Sequence, residues 1–254
     1  MEQSELLSVT TEVAYDLLHC GAEIYRVEES VLRIFEAYGI KGGSVFAIPS
    51  LLIVSIRQEE GLPLSNMRRI EESTTHLEKI RAYNDLCRHI CSALPDRTWI
   101  ENELCRISTL PSYNFKQSLA AHAMVGFGFT LMFGGGIPDA LAAFFVGAAV
   151  KLTLWQLNKF DTNSFFTTIL ASLSAAIMAS LCVFFGFGSM TDKIIIGTLM
   201  ILVPGTALTN TMRDIIAGDL IAGMTRLTMA LLTATGIALG AGFGLTLMRL
   251  MGVT

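Results

Sequence analysis

Arg213, Asp214, Asp219 and Arg226 crowd one short stretch of this chain, LVPGTALTNTMRDIIAGDLIAGMTR, residues 202–226. The stretch joins two of the most apolar runs in the sequence. An arginine can grip a carboxylate with two parallel N–H bonds, and a carboxylate can hold an amine or exchange a proton. Just upstream, Pro204 lacks a backbone N–H and crowds the preceding turn, so a helix should kink or unwind near Val203–Gly205. In a membrane that frees carbonyls, which are tolerated where protein buries them or where they line a wet cavity. Broken helices in transporters form substrate sites in this way. Thr206, Thr209, Asn210 and Thr211 would give such a break a polar lining. Two plainer readings stand beside this one. Pro204 can be a simple kink, and Arg213–Asp214 an ordinary loop pair with Arg226 snorkelling to the surface. Ionisable groups within a bilayer are costly unless paired or placed on a pathway.

Other reactive residues are scattered. His122 lies inside an apolar run and suits a proton relay or a neutral hydrogen bond to a neighbouring helix. CRHIC puts Cys87 and Cys91 on one helical face near His89, but no second pair has zinc spacing, so buried thiols are expected and no metal. The five cysteines form no disulfide pattern and suit a reducing cytosol. No GxSxG, HExxH or Walker A motif occurs, so no catalytic residue, cofactor or enzymatic activity is expected.

The elements that must position these groups follow from composition. Of 254 residues 52% are hydrophobic and 16% charged, with a mean hydropathy of +0.55, too apolar for an ordinary soluble enzyme. Residues 1–117 hold 12 Lys and Arg against 17 Asp and Glu, a balance of −5; residues 118–254 hold only 6 and 5. That acidity offers no face for nucleic acid. The N-terminus carries acids and spaced apolar residues, unlike a signal peptide. Leu6, Val9, Val13, Leu17, Ile24, Val27, Val31 and Ile34 form an amphipathic helical stripe over about 4–38, with Gly21 as a kink or a break. GGSVFAIPSLLIVSIRQ reads as a hairpin of strands 44–48 and 51–57, and EEGLPLSN as a loop. A helix follows over Met67–Ala93, stopped by Pro95, and Asp96 caps another over 97–109. Five apolar runs, at about 116–133, 139–157, 164–187, 193–210 and 220–249, approach the ~20 helical residues that a bilayer core needs. Gly236, Gly240 and Gly244, and Ser172, Ala176 and Ser180, form two small-residue faces suited to a helix seam.

The expected fold is therefore an α-helical polytopic membrane protein of five transmembrane helices, 118–254, with an N-terminal soluble α+β domain, 1–117. Arg106, Lys116, Lys151, Lys159 and Arg213 mark one side of the spans, against Lys193 and Arg249 on the other. This bias places the N-terminus in the cytoplasm and the C-terminus on the far side.

GAEIYRVEESVLRIFEAYG (21–39), VFAIPSLLIVSI, YNDLCRHI and the 202–226 stretch, in this order along nearly the whole chain, resemble the threonine/serine exporter family. The resemblance implies a multi-pass protein of the bacterial inner membrane that exports threonine and serine or, in some two-subunit forms, a dicarboxylate such as succinate. It implies an ion gradient as the driving force, and a separate small membrane subunit supplying the second transport module. Homo-oligomers are compatible with it. By motif, Gly21, Glu23, Tyr25, Arg26 and Glu28 match the N-terminal signature. Pro204, Gly205, Asn210, Arg213, Asp214, Gly218, Asp219, Gly223 and Arg226 match the membrane signature and are the candidates for substrate binding or gating. The alternatives are a cytoplasmic sensor or catalytic domain anchored by the spans, or the regulatory half of a two-part transporter.

Overall fold

A computed structural model describes residues 1–58, 61–71, 74–160 and 162–253. The chain divides into two compact units, each assembled from separate segments: Met1–Ser112 with Leu208–Leu227, and Tyr113–Ala207 with Thr228–Thr254.

The first unit opens with α1 (Gln3–His19) and α2 (Ile24–Ala37). All eight residues of the expected stripe are buried, none more than 2% exposed. Burying each such side chain favours folding by roughly 1.5–3 kcal/mol. Gly21 breaks the stripe into two helices. Its φ of +87° is open to glycine at little cost, and the Ala22 and Gly21 N–H groups donate to the carbonyls of Leu17 and Leu18, a Schellman turn that ends α1.

The sheet has three antiparallel strands in the order β1 (Gly43–Ile48), β2 (Leu51–Ile56), β3 (Leu64–Arg69). The hairpin is where its β-branched residues placed it. The third strand is a correction: residues 64–69 were expected to be loop and helix start. Leu64 pairs with Ile56 and Arg69 with Leu51, and only the ladder to β2 makes this polar segment extended. Alternation on the central strand puts Leu52, Val54 and Ile56 in the core.

The next helix, α3 (Leu77–Ala93), accordingly starts ten residues later than expected, with His76 Nδ1 accepting from the Lys79 N–H. Glu59 and Glu60 of the expected loop, and Glu72 and Ser73 of the expected longer helix, lie outside the described residues. Asp96 caps α4 (Arg97–Ser108) through the Trp99 N–H. Tyr83, Leu86, Cys87 and Ile90 of α3 and Ile100, Leu104 and Ile107 of α4 complete the core, which also takes in Ala222 from the returning segment.

The second unit contains α5 (Phe115–Met132), α6 (Ile137–Leu157), α7 (Ser164–Phe184) and α8 (Thr191–Leu199). It also takes the start of α9 (Gly205–Ala217) and α10 (Leu220–Leu250) from Thr228 onward. Among the described residues three helices are long and apolar enough to cross a membrane: Ile137–Phe160, which adds a short 3₁₀ turn to α6, Ser164–Phe184 and Leu220–Leu250. The expected fourth run, 193–210, is not one helix. It breaks between Leu199 and Gly205, where the Ile201 and Leu202 N–H groups bond only three residues back and Pro204 has none to offer.

The two small-residue faces meet. A Cβ on Gly240 would collide with Ser172 Oγ and the Ile169 carbonyl, one on Gly244 would come 2.7 Å from Ala176 Cβ, and Ser172 Oγ lies 3.4 Å from the Gly236 carbonyl oxygen. Such contact is what drives helix association where hydrophobic gain is absent. His122 Nδ1 lies 2.7 Å from the Ser118 carbonyl of its own helix, not of a neighbour. Asp139 is buried and accepts N–H bonds from Gly136, Ser189 and Met190, so it ties the turn before α8 to the start of α6.

Candidate functional site: a charged junction on two helix turns

Two turns of the same kind build this site in the first unit. The Schellman turn at Gly21 leads into α2, for which Glu23 holds the N-cap position. Gly218, with φ +100°, makes the second: the N–H groups of Gly218 and Asp219 donate to the carbonyls of Ile215 and Asp214 and end α9. The chain then re-enters α10 and packs closely on α9, since a Cβ at Gly223 would come 2.5 Å from Ile215 Cγ1.

The two turns are joined by charge. Arg213 Nη1 donates to Glu23 Oε1 at 2.9 Å, and Arg26 Nε lies 3.2 Å from Glu23 Oε2. Arg226 Nη2 donates to the Ala22 carbonyl at 3.0 Å, while its Nε lies 3.5 Å from Asp214 Oδ2. Glu28 Oε1 accepts from the Ala47 N–H at 2.9 Å. The segment 213–226 thus meets the stretch 21–39 across nearly 200 residues of sequence.

Asp214 is the unusual member. It is 0% exposed, and neither carboxylate oxygen accepts a hydrogen bond from the described residues. The Thr211 hydroxyl, one turn earlier, is also buried and without a hydrogen-bond partner among them. Burial raises the Asp214 pKa above the usual carboxylate value; Arg226 pulls it back, Asp219 and Glu23 push it up again, and Arg213 pulls weakly down. Burial likewise raises Glu28, against the Ala47 N–H, with Asp219 and Asp214 adding repulsion. A cavity of about 460 Å³ adjoins Glu28 and Asp219, lined also by Tyr25, Glu29, Arg33 and Ala217 among others.

The structure therefore brings together Gly21, Glu23, Tyr25, Arg26, Glu28, Arg213, Asp214, Asp219 and Arg226. Asn210 is half-buried on α9 in the same unit. Pro204 and Gly205 fall in the second unit, at the helix break. Sequence reasoning did not single out the Ala22 carbonyl, which no side-chain pattern can reveal. Thr211 it had placed only in a polar lining. Cys87 is buried, with its thiol pushed up to about 12 by desolvation, and no group of metal-ligating side chains occurs among the described residues.

Comparison with known proteins places these motifs. The sequence model of the ThrE family, described as "Putative threonine/serine exporter", matches residues 8–248. A threonine/serine exporter of Corynebacterium glutamicum is 25% identical over 255 residues, covering 98% of this chain and 52% of that protein. A Mycobacterium tuberculosis protein named "Probable threonine/serine exporter" is 20% identical over 253 residues, covering 98% of this chain and 46% of its own length. The chain thus spans about half the length of the curated relatives it matches. No solved structure matches it. With one family matched from residue 8 to residue 248, and with its two most specific motifs meeting at a single charged junction, the chain belongs to the threonine/serine exporter family.

Proposed function

We propose that this chain is one module of a membrane exporter of small carboxylate-bearing solutes, with threonine and serine, or a dicarboxylate such as succinate, as the substrates to test. The observation that carries the reading is the family match over residues 8–248. In this reading a second membrane module, on a separate small subunit, completes the transport path. In this reading the chain sits in the bacterial inner membrane with five spans, a cytoplasmic N-terminus and a C-terminus on the far side. The α5 segment and the broken 193–210 run are then the two spans held in place by neighbouring helices.

The charged junction gives the reading a mechanism. Arg226 has one firm bond, to the Ala22 carbonyl, and one looser partner, Asp214 at 3.5 Å. A proton on Asp214 removes the charge that holds Arg226 from that side, and its burial makes this proton easier to bind. The freed guanidinium then takes a substrate carboxylate. Substrate binding is thereby coupled to protonation, because a proton on Asp214 and a substrate carboxylate on Arg226 favour one another.

The test is efflux from proteoliposomes loaded with labelled threonine, serine or succinate, with and without the small partner subunit. Efflux of at least one of the three is expected only with both subunits present. Robust efflux by this chain alone would refute the two-module reading, and no efflux of any solute under either condition would refute transport.

A further inference from the structure

A cleft of the first unit lies away from the Asp214–Arg226 pair, between α2 and α3, with a volume of about 1110 Å³. Arg26 and Arg33 line it from α2, and Arg81 and Arg88 from α3. The carboxylates on its wall are Glu29 and Glu36, so the lining carries a net charge of +2 within an N-terminal segment that is otherwise acidic. Glu29 is already held by Arg33, and Arg88 is paired with Asp85 outside the lining. Among the described residues Arg81 makes no ion pair. Ser30, Asn84 and Ser92 add small polar groups, and Leu77, Ile80 and the buried Cys87 supply uncharged lining. Nothing in the transport reading uses this cleft.

We propose that this cleft binds a small metabolite carrying two or more anionic oxygen groups, a polycarboxylate or a phosphate. Guanidinium groups facing each other across a concave wall focus positive potential and match such groups with charge-assisted pairs of N–H bonds. The cleft exceeds the usual volume of a small-ligand pocket only because it is open on one side. Its position links it to the charged junction through one side chain. Arg26 lines the cleft and also pairs with Glu23, which in turn holds Arg213. An anion that draws Arg26 into the cleft leaves Glu23 to Arg213 alone. Occupancy therefore adjusts the contact between the two family motifs, as a regulatory ligand would.

The experiment measures binding of citrate and of inorganic phosphate to the full chain in detergent by calorimetry, with glycerol as an uncharged control. Three proteins are compared: the unaltered chain, the double variant Arg33→Gln/Arg81→Gln, and Arg97→Gln. Arg97 sits on α4, outside the cleft. Both altered cleft residues are exposed, so the fold is not at stake, and an unchanged circular dichroism spectrum checks this. Saturable binding of one anion, weakened about tenfold or more in the double variant and unchanged in Arg97→Gln, is expected. Citrate binding with no phosphate binding would assign the polycarboxylate, and the reverse the phosphate. Three results would overturn the proposal: no saturable binding of either anion below about 10 mM, equal binding by the double variant, or an equal loss in Arg97→Gln. None of these touches the efflux assay, so this site and the transport reading fail separately.

Discussion

Replacing Arg226 by Ala removes the nearest cation from a carboxylate that is wholly buried and accepts no hydrogen bond among the described residues. Breaking a buried pair from one side costs about 3–5 kcal/mol, because the remaining charge stays desolvated. Two features of this site adjust the figure. Arg226 is 14% exposed, so water can follow into the vacated space and soften the penalty. The Ala22 carbonyl loses its donor, which adds about 1 kcal/mol. A net loss of about 3 kcal/mol follows, on the order of 10 °C in Tm at about 2–4 °C per kcal/mol. Asp214→Asn should cost only about 1 kcal/mol, since Arg226 keeps Ala22 and can turn toward water. The double variant Asp214→Asn/Arg226→Ala should therefore be more stable than Arg226→Ala alone, with a coupling of about 2 kcal/mol. The assay is thermal unfolding of the full chain and the three variants in one detergent at pH 7. An Arg226→Ala Tm within about 2 °C of the parent, or a double variant that merely adds the two single losses, would refute the view that Asp214 depends on Arg226.

Protonation gives a second test of the same pair. Burial raises the native Asp214 pKa above 3.8, so between that value and the raised one the folded state binds more protons than the unfolded state. Asp214 thus favours folding below this window and loses that contribution as pH rises through it; the Tm difference between the parent and Asp214→Asn should shift in favour of Asn as pH rises from 4 to 8, and a difference constant with pH would count against it. In the seam of the second unit, Gly240→Ala should destabilise by about 2 kcal/mol or more through collision with Ile169 and Ser172. Gly242→Ala meets nothing within 4 Å and should be neutral or stabilising by up to about 1 kcal/mol, so equal Tm values for the two variants would disprove the seam.

Periodicity made the helices legible. The stripe from Leu6 to Ile34 has to face a core at 3.6 residues per turn, and Gly21 is the natural place for it to stop. The small faces on α7 and α10 were equally readable, because only close packing rewards glycine every fourth residue in an apolar helix. Leu64–Arg69 was not readable. Its extended form depends on the ladder to β2, a contact no local pattern announces. Family motifs brought Glu23 and Arg226 forward together, but nothing local says that Arg226 reaches the Ala22 carbonyl or that Arg213 reaches Glu23. Long-range pairs are set by the tertiary fold. The same limit hides that the charges at 213–226 find partners near the N-terminus, at Glu23 and the Ala22 carbonyl.

That the first unit is closed by Leu208–Leu227 also sets an order of events during synthesis. Its first 112 residues leave the ribosome early, yet Ala222 is missing from their core, Glu23 lacks Arg213, and the Ala22 carbonyl lacks its donor. The missing segment follows only after residues 113–207 have been made. At about 5–20 residues per second that interval lasts roughly 5–20 s, during which the N-terminal residues wait unfinished while the apolar helices of the second unit are laid down. The charged junction therefore forms only once the segment beyond the Pro204 break has returned to the first unit, so a chain stalled before Arg213 leaves both family motifs without their partners.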